Sequence, residues 1–152
     1  MEEQKQRYYI DERWFTEHNK SFRAVAQTRM CPACRKKIGS EVQERIPTVD
    51  GRGRVVYELR SVPFASNPRS EIGKHCSKES GYLTAETPLL EALFRVFLAN
   101  GNQPIEIDQI REQLASYVPA TERPRGYAPE ILERLMETNN GYGLQRFETS
   151  VE

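Results

Sequence analysis

The sequence predicts an α+β fold in which a small module with a β-hairpin precedes a mainly helical domain. Two apolar runs, one around Val42 and Ile46 and one over residues 55–59, flank Asp50-Gly51, a dipeptide typical of hairpin turns. After Thr87, apolar residues recur at helical spacing in three successive segments. Residues 1–85 carry 16 basic and 11 acidic side chains, whereas residues 86–152 carry 6 and 11. We therefore predict two units, 1–85 with a net charge of +5 and 86–152 with a net charge of −5.

The first unit begins with short elements. Tyr8-Tyr9-Ile10 predicts a strand, and Asp11 predicts the cap of the turn that follows. Ser21 predicts the N-cap of a helix over residues 22–30. Two prolines and an asparagine predict that residues 61–70 form a loop between the hairpin and the end of the unit.

The second unit alternates helices with short strands. Its first helix carries a wide apolar stripe that includes Leu93 and Phe97, which predicts a buried face. Thr87 predicts the cap of this first helix, and Asn100-Gly101 predicts its end. Asp108 predicts the cap of the second helix, and Pro129 predicts the start of the third. Short strands are predicted at residues 104–107 and 142–147.

The three cysteines, Cys31, Cys34 and Cys76, point to a metal site. An odd number of cysteines without a secretory signal argues against a disulfide framework. Two thiolates separated by two residues can bind one tetrahedral ion, because a tight turn directs both sulfurs to the same side. The Cys31-Pro32-Ala33-Cys34 run, followed by basic residues and a glycine, resembles the knuckle of zinc-ribbon and treble-clef proteins.

That resemblance implies a second pair of ligands beyond the hairpin, for which His75 and Cys76 are the dense candidates. Adjacent residues share a metal only where the backbone turns sharply, so His18 and Glu79 stay open as alternatives to His75. With four protein ligands the expected zinc ion is structural, since no position remains for a reactive water. No supported catalytic triad and no phosphate-binding glycine loop accompany the site, so we predict that the protein is not an enzyme.

Two other interpretations of the cysteines remain. Cys31 and Cys34 could form the redox pair of a thiol-disulfide oxidoreductase, a chemistry that needs the motif at a helix start after a buried strand. They could also be small buried apolar side chains without a chemical role.

Residues 87–148 resemble a winged helix-turn-helix domain in the order of their elements. The resemblance implies that the strand at Ile105–Ile107 pairs with the one at Gly143–Phe147, and that the wing is truncated because only one strand follows the third helix. It also implies DNA binding through the third helix. The exposed face of that helix carries Glu130, Glu133 and Glu137, which a phosphate backbone repels, so a protein partner fits better.

Any nucleic-acid contact fits the first unit better than the second. Its knuckle and hairpin carry a group of basic residues, Lys36, Lys37, Arg52, Arg54 and Arg60. The function we predict is that of a zinc-stabilised adaptor or regulatory protein; the alternatives are a transcription-related nucleic-acid binder and the oxidoreductase. No apolar run approaches the length of a bilayer span, and we expect a cytoplasmic location.

Overall fold

The computed structural model describes residues 6–65, 67–123, 125–138 and 141–148. It confirms the α+β class. The elements, in chain order, are β1 Arg7–Ile10, α1 Glu12–Glu17, α2 Phe22–Gln27, α3 Pro32–Lys37, β2 Glu41–Val49, β3 Val55–Pro63, α4 Pro68–Lys74, α5 Leu89–Ala99, β4 Ile105–Glu106, α6 Ile107–Tyr117, α7 Pro129–Glu137 and β5 Leu144–Phe147. Single 3₁₀ turns lie at Cys76–Lys78 and Ala120–Glu122. Among the described helices none has the length and apolar character that crossing a membrane requires.

The strands form two separate antiparallel sheets. In the first, β1 lies in the middle and pairs with β4 on one side and β5 on the other. The second is the hairpin of β2 and β3, nine residues long in each strand and closed by the turn that begins at Asp50. The Oδ1 atom of Asp50 accepts hydrogen bonds from the backbone N–H groups of Arg52 and Arg54, at 2.8 and 3.0 Å, and so fixes this turn.

The predicted pairing of Ile105–Ile107 with Gly143–Phe147 is wrong. Arg7 pairs with Glu106 on one side and with Phe147 on the other, so β1 separates the two strands that we expected to be neighbours. The winged-helix architecture stays a prediction. The sheet of its C-terminal elements contains a strand from the start of the chain in addition to β4 and β5.

Four further details differ from the sequence-based expectations. The N-cap residue of α5 is Pro88 rather than Thr87. The stretch predicted as a loop, residues 61–70, contains the end of β3 and the start of α4. The second C-terminal helix is capped by Glu106 rather than Asp108, because Glu106 and Gln109 form a reciprocal capping box. The helix after Ser21 ends at Gln27, three residues before the predicted end.

One hydrophobic core draws on both ends of the chain. Helix α5 contributes six buried residues, and Tyr8 of β1 and Phe15 of α1 are each 1 % exposed beside it. Helix α4 packs on α5 through Ile72, which is fully buried. The predicted division at residues 85 and 86 stays a prediction, although buried side chains from both sides of it belong to one cluster.

Candidate metal centre

Cys31 and Cys34 lie at the start of α3. Pro32 occupies the first turn of this helix, where its fixed φ angle suits helical backbone and its missing N–H is not needed. Cys31 is the N-cap residue, and its carbonyl accepts a hydrogen bond from the Arg35 N–H at 2.9 Å. Residues three apart at a helix start lie on one side, so both sulfurs face the same point.

His75 and Cys76 lie where α4 ends. Ile72 anchors α4 on α5, and the backbone leaves helical geometry at His75, whose φ and ψ are −129° and −62°. A 3₁₀ turn starts at once with Cys76. This change of direction is the sharp turn that two adjacent ligands need, and it brings both side chains to the knuckle.

The four side chains converge on one point. The potential ligand atoms of Cys31, Cys34, His75 and Cys76 all lie within 4.8 Å of one another. The Nδ1 atom of His75 lies 3.4 Å from the Sγ atom of Cys31 and 3.4 Å from that of Cys34. Around a tetrahedral zinc ion, with Zn–S of about 2.3 Å and Zn–N of about 2.0 Å, sulfur and nitrogen are separated by about 3.5 Å. The two sulfur–nitrogen distances that His75 makes therefore match those of a tetrahedral zinc site.

The centre lies at the edge of the core. Cys34 is 4 % exposed and Cys76 is fully buried, whereas Cys31 is half-buried and His75 exposed. All three cysteines are free thiols. The sulfurs are thus shielded from solvent on the core side, while His75 closes the site on the outer side.

The two alternative ligands lie outside this group. The Nδ1 atom of His18 lies 2.7 Å from the carbonyl oxygen of Trp14, and its ring stacks on the indole with centroids 4.1 Å apart. Glu79 lies behind His75, with its Oε1 atom 3.5 Å from the Nε2 atom of that ring. Metal-bound histidines commonly direct their second nitrogen to a carboxylate, so Glu79 is placed to orient His75 rather than to replace it.

The thiols perturb one another. Burial raises the pKa of Cys34, and the neighbouring thiols of Cys31 and Cys76 raise it further. Burial acts in the same direction on Cys31, but hydrogen bonds from the backbone and side chain of Cys34 outweigh it and lower the pKa of Cys31 to about 7. Burial likewise raises the pKa of Cys76. The protein alone therefore favours one thiolate among three sulfurs, and a bound cation supplies the charge that stabilises the others in their ionised form.

A half-buried ion pair holds the chain just before the knuckle against α5. Arg29 binds Glu91 of α5 with two hydrogen bonds, Nη2 to Oε1 at 2.8 Å and Nε to Oε2 at 3.0 Å. The same carboxylate accepts hydrogen bonds from Arg95 Nε and from the Tyr142 hydroxyl, each at 2.9 Å. The sequence analysis did not identify this group; the signal available was an acidic residue within the apolar stripe of α5.

The predicted basic group does not form one uniform cationic surface. Lys36 and Lys37 lie in the last turn of α3, and the Nζ atom of Lys37 lies 5.8 Å from the centre of the Phe64 ring. In the hairpin, Arg54 pairs with Asp50 and Arg60 pairs with Glu58, both at 3.3 Å. The fifth member, Arg52, is exposed in the hairpin turn. The role of the basic group in nucleic-acid binding stays a prediction.

The predicted partner-binding acids lie together on α7. Glu130, Glu133 and Glu137 are all exposed. Glu137 forms an ion pair with Arg146 of β5, which leaves Glu130 and Glu133 as the acids without an ion pair to a described residue. Their role in partner binding also stays a prediction.

The redox interpretation fits the structure only in part. Cys31 lies at a helix start, as that chemistry requires, but a helix precedes it rather than a strand, and both sheets of the described part are antiparallel.

Comparisons of the chain with protein families, with curated proteins and with solved structures find no match. What the chain itself presents is a cluster of three cysteines and one histidine that could bind a metal ion.

Proposed function

We propose that the protein is a non-enzymatic adaptor whose first half is held together by one structural zinc ion, bound by Cys31, Cys34, His75 and Cys76. The observation that carries this proposal is the convergence of four ligand atoms within 4.8 Å from two chain segments about 40 residues apart. Three sulfurs and one imidazole nitrogen are a donor set typical of structural zinc, since soft thiolates and tetrahedral geometry favour this ion.

The metal would act on the fold through the loop between its ligands. Residues 35–74 contain the whole β2–β3 hairpin and α4, and one ion closes this loop at its base. The chain-entropy cost of joining the ends of such a loop grows with its length, so a closing bond contributes more here than across a short turn. Metal binding and folding of this region are therefore coupled.

Two features support a role without catalysis. Four protein ligands leave no coordination position for a water or substrate. Of the two histidines of the chain, His75 belongs to the cluster, and the imidazole of His18 is bound to Trp14. His75 would therefore be occupied by the metal, and the Nδ1 atom of His18 by the Trp14 carbonyl oxygen.

Metal content and stability test the zinc site together. The protein, produced without added metal, is compared with Cys34→Ser, Cys76→Ser and His18→Ala by plasma mass spectrometry and thermal melting. We expect about one zinc per chain in the parent and in His18→Ala, and melting temperatures lower by about 10 °C or more in both serine variants. Parent protein without metal, or serine variants that melt like the parent, would overturn the zinc site.

The acids of α7 are the surface that we assign to the partner. Glu130 and Glu133 are exposed on one helix of a unit with a net charge of −5, which favours a basic protein surface as the partner. A Glu130→Lys/Glu133→Lys double variant should lose a partner that co-purifies with the parent. Glu112→Lys/Glu122→Lys, which changes the charge equally at exposed acids elsewhere in the unit, should retain it. Equal recovery by both double variants would remove the partner surface from α7.

A further inference from the structure

The outer face of the β2–β3 hairpin is apolar and open to solvent. Pairing places Val49 opposite Val55, Pro47 opposite Tyr57 and Arg45 opposite Leu59, so these six residues share one face of the ribbon. We call them the outer face. Val49, Val55, Tyr57 and Leu59 are 71 %, 63 %, 60 % and 68 % exposed.

The opposite face of the hairpin is less exposed. Ile46, Thr48 and Val62 on that face are half-buried, and Val42 packs against the core. Val56, Glu58 and Arg60 on the same face are nevertheless exposed, so the hairpin packs on the core mainly at its base through Val42, and the described residues leave the outer face uncovered. A two-stranded ribbon alone is marginally stable in water, and contact with a further layer stabilises it.

Charge indicates what covers the outer face. Residues 41–63 contain four acidic and four basic side chains, so the hairpin is formally neutral, as is the whole chain. The one charged member of the outer face, Arg45, lies over the Tyr57 ring with its guanidinium carbon 5.0 Å from the ring centre. A largely apolar surface on a neutral hairpin does not select nucleic acid or a strongly charged protein, and it suits a second copy because two neutral hairpins do not repel each other.

One edge of the hairpin is unsuited to pairing with another strand. Pro47 lies in the middle of β2 and has no N–H group, which makes the outer edge of this strand a poor template for another strand. The four exposed apolar side chains present on the order of 500 Å² per copy, a size at which surface patches are often interaction sites. Two such patches in contact reach the lower limit of specific interfaces, about 1,000 Å² in total.

We propose that the protein forms a two-fold symmetric dimer in which the outer faces of two hairpins pack against each other as two sheet layers. The interface needs Val49, Val55, Tyr57 and Leu59 from both copies. For a contact of this kind, small and reversible, we expect a dissociation constant in the micromolar range. The dimer is independent of the partner surface on α7.

Sedimentation velocity of the full chain, from about 1 to about 200 µM, tests this proposal because the range spans a micromolar dissociation constant. The parent should shift from monomer to dimer as the concentration rises. Leu59→Glu places a charge on the outer face twice per dimer and should raise the dissociation constant at least about 100-fold. Val56→Glu introduces the same charge on the same strand but on the opposite face, and should dimerise like the parent.

Leu59 is 68 % exposed, so its substitution is not expected to disturb folding, and unchanged zinc content and melting temperature of the monomer verify this. A parent that stays monomeric throughout the range would overturn the proposal. So would a dimer that survives Leu59→Glu, a dimer that both variants abolish equally, or a monomer that binds a single-stranded oligonucleotide through this face.

Discussion

Glu91 is the residue on which three parts of the molecule converge. It lies in the first turn of α5, and its carboxylate accepts hydrogen bonds from Arg29 before the knuckle, from Arg95 of its own helix and from Tyr142 before β5. Burial raises the pKa of Glu91, but the hydrogen bonds from the two guanidinium groups outweigh it and hold the pKa below its usual value. The ionised form is therefore the one that stabilises the fold.

Replacing Glu91 with glutamine should destabilise the protein by about 2 kcal/mol at pH 7, because Arg29 and Arg95 lose their charged partner. A carboxyl group whose pKa is lower in the folded than in the unfolded protein contributes its full stability above the unfolded pKa, about 4.5. It loses this contribution as the pH falls through the pKa of the folded protein. The difference between parent and variant should therefore narrow below about pH 4.5.

Urea unfolding of both proteins across this pH range measures the difference in their free energies of unfolding at each pH. Effects of acid on the thiols cancel in this difference, because both proteins have the same three cysteines. The matched control is Glu112→Gln at an exposed acid of α6, for which we expect less than about 0.5 kcal/mol throughout. A difference between parent and Glu91→Gln that is absent at pH 7, or that does not change with pH, contradicts this role.

At the scale of elements, Gly143 connects the loop after α7 to β5 in a space that no side chain fits. Its φ angle is +71°, and a Cβ atom placed on it would lie 2.9 Å from the Phe15 ring and 3.1 Å from the Asp11 carbonyl oxygen. The Gly143 carbonyl also accepts a hydrogen bond from the Asp11 N–H at 2.8 Å. The residue before α1 and the residue before β5 are thus in direct contact.

Gly143→Ala should therefore cost about 3 kcal/mol or more, from the backbone conformation and the collision with Phe15 together. Gly101 separates these two terms, because its φ angle is +77° while no atom lies within 4 Å of its Cβ position. Gly101→Ala should cost only the backbone term, about 1 kcal/mol. Chemical denaturation of both variants measures this, and equal losses would show that the contact with Phe15 is not tight.

The sequence predicted the elements that local patterns specify. The alternation around Asp50-Gly51 gave the hairpin, and the apolar stripes gave α5, α6 and α7. The start of α4 falls in the predicted loop because Asn67 and Pro68 signal a turn and Ile72 is the one large aliphatic residue of this helix. The predicted strand pairing is wrong because sequence order does not reveal that β1 inserts between β4 and β5, which follow it by about 100 and about 140 residues.

The residues of the metal site were likewise predictable only in part from the sequence. The knuckle was visible because both cysteines belong to one short motif, and Cys76 followed because the chain has three cysteines. The choice between His75, His18 and Glu79 depended on where the backbone turns after α4, which no local pattern shows. The Arg29–Glu91 pair joins residues 62 positions apart, and nothing in the sequence links them.

At the scale of the whole molecule, the start of the chain completes the sheet of the end. Tyr8 and Ile10 of β1 are 1 % and 0 % exposed, and β1 provides the pairing partner for both β4 and β5. The C-terminal elements alone would expose the core residues that these side chains cover and would leave two short strands without a neighbour.

We therefore expect that residues 86–152, produced alone, do not melt cooperatively and give a poorly dispersed amide spectrum. Residues 6–152 should melt cooperatively and give a well-dispersed spectrum, as the full chain does. Nuclear magnetic resonance and circular dichroism make this comparison. A well-dispersed spectrum and a cooperative melt of the short fragment would show that the predicted division at residue 86 is a true folding boundary.

The zinc centre is tested most directly by X-ray absorption at the zinc edge of the purified full-length protein. Our account predicts one zinc per chain with three sulfur neighbours at about 2.3 Å and one nitrogen neighbour at about 2.0 Å. A shell that contains only oxygen and nitrogen, or one with four sulfurs, would contradict the assignment of Cys31, Cys34, His75 and Cys76 as the four ligands.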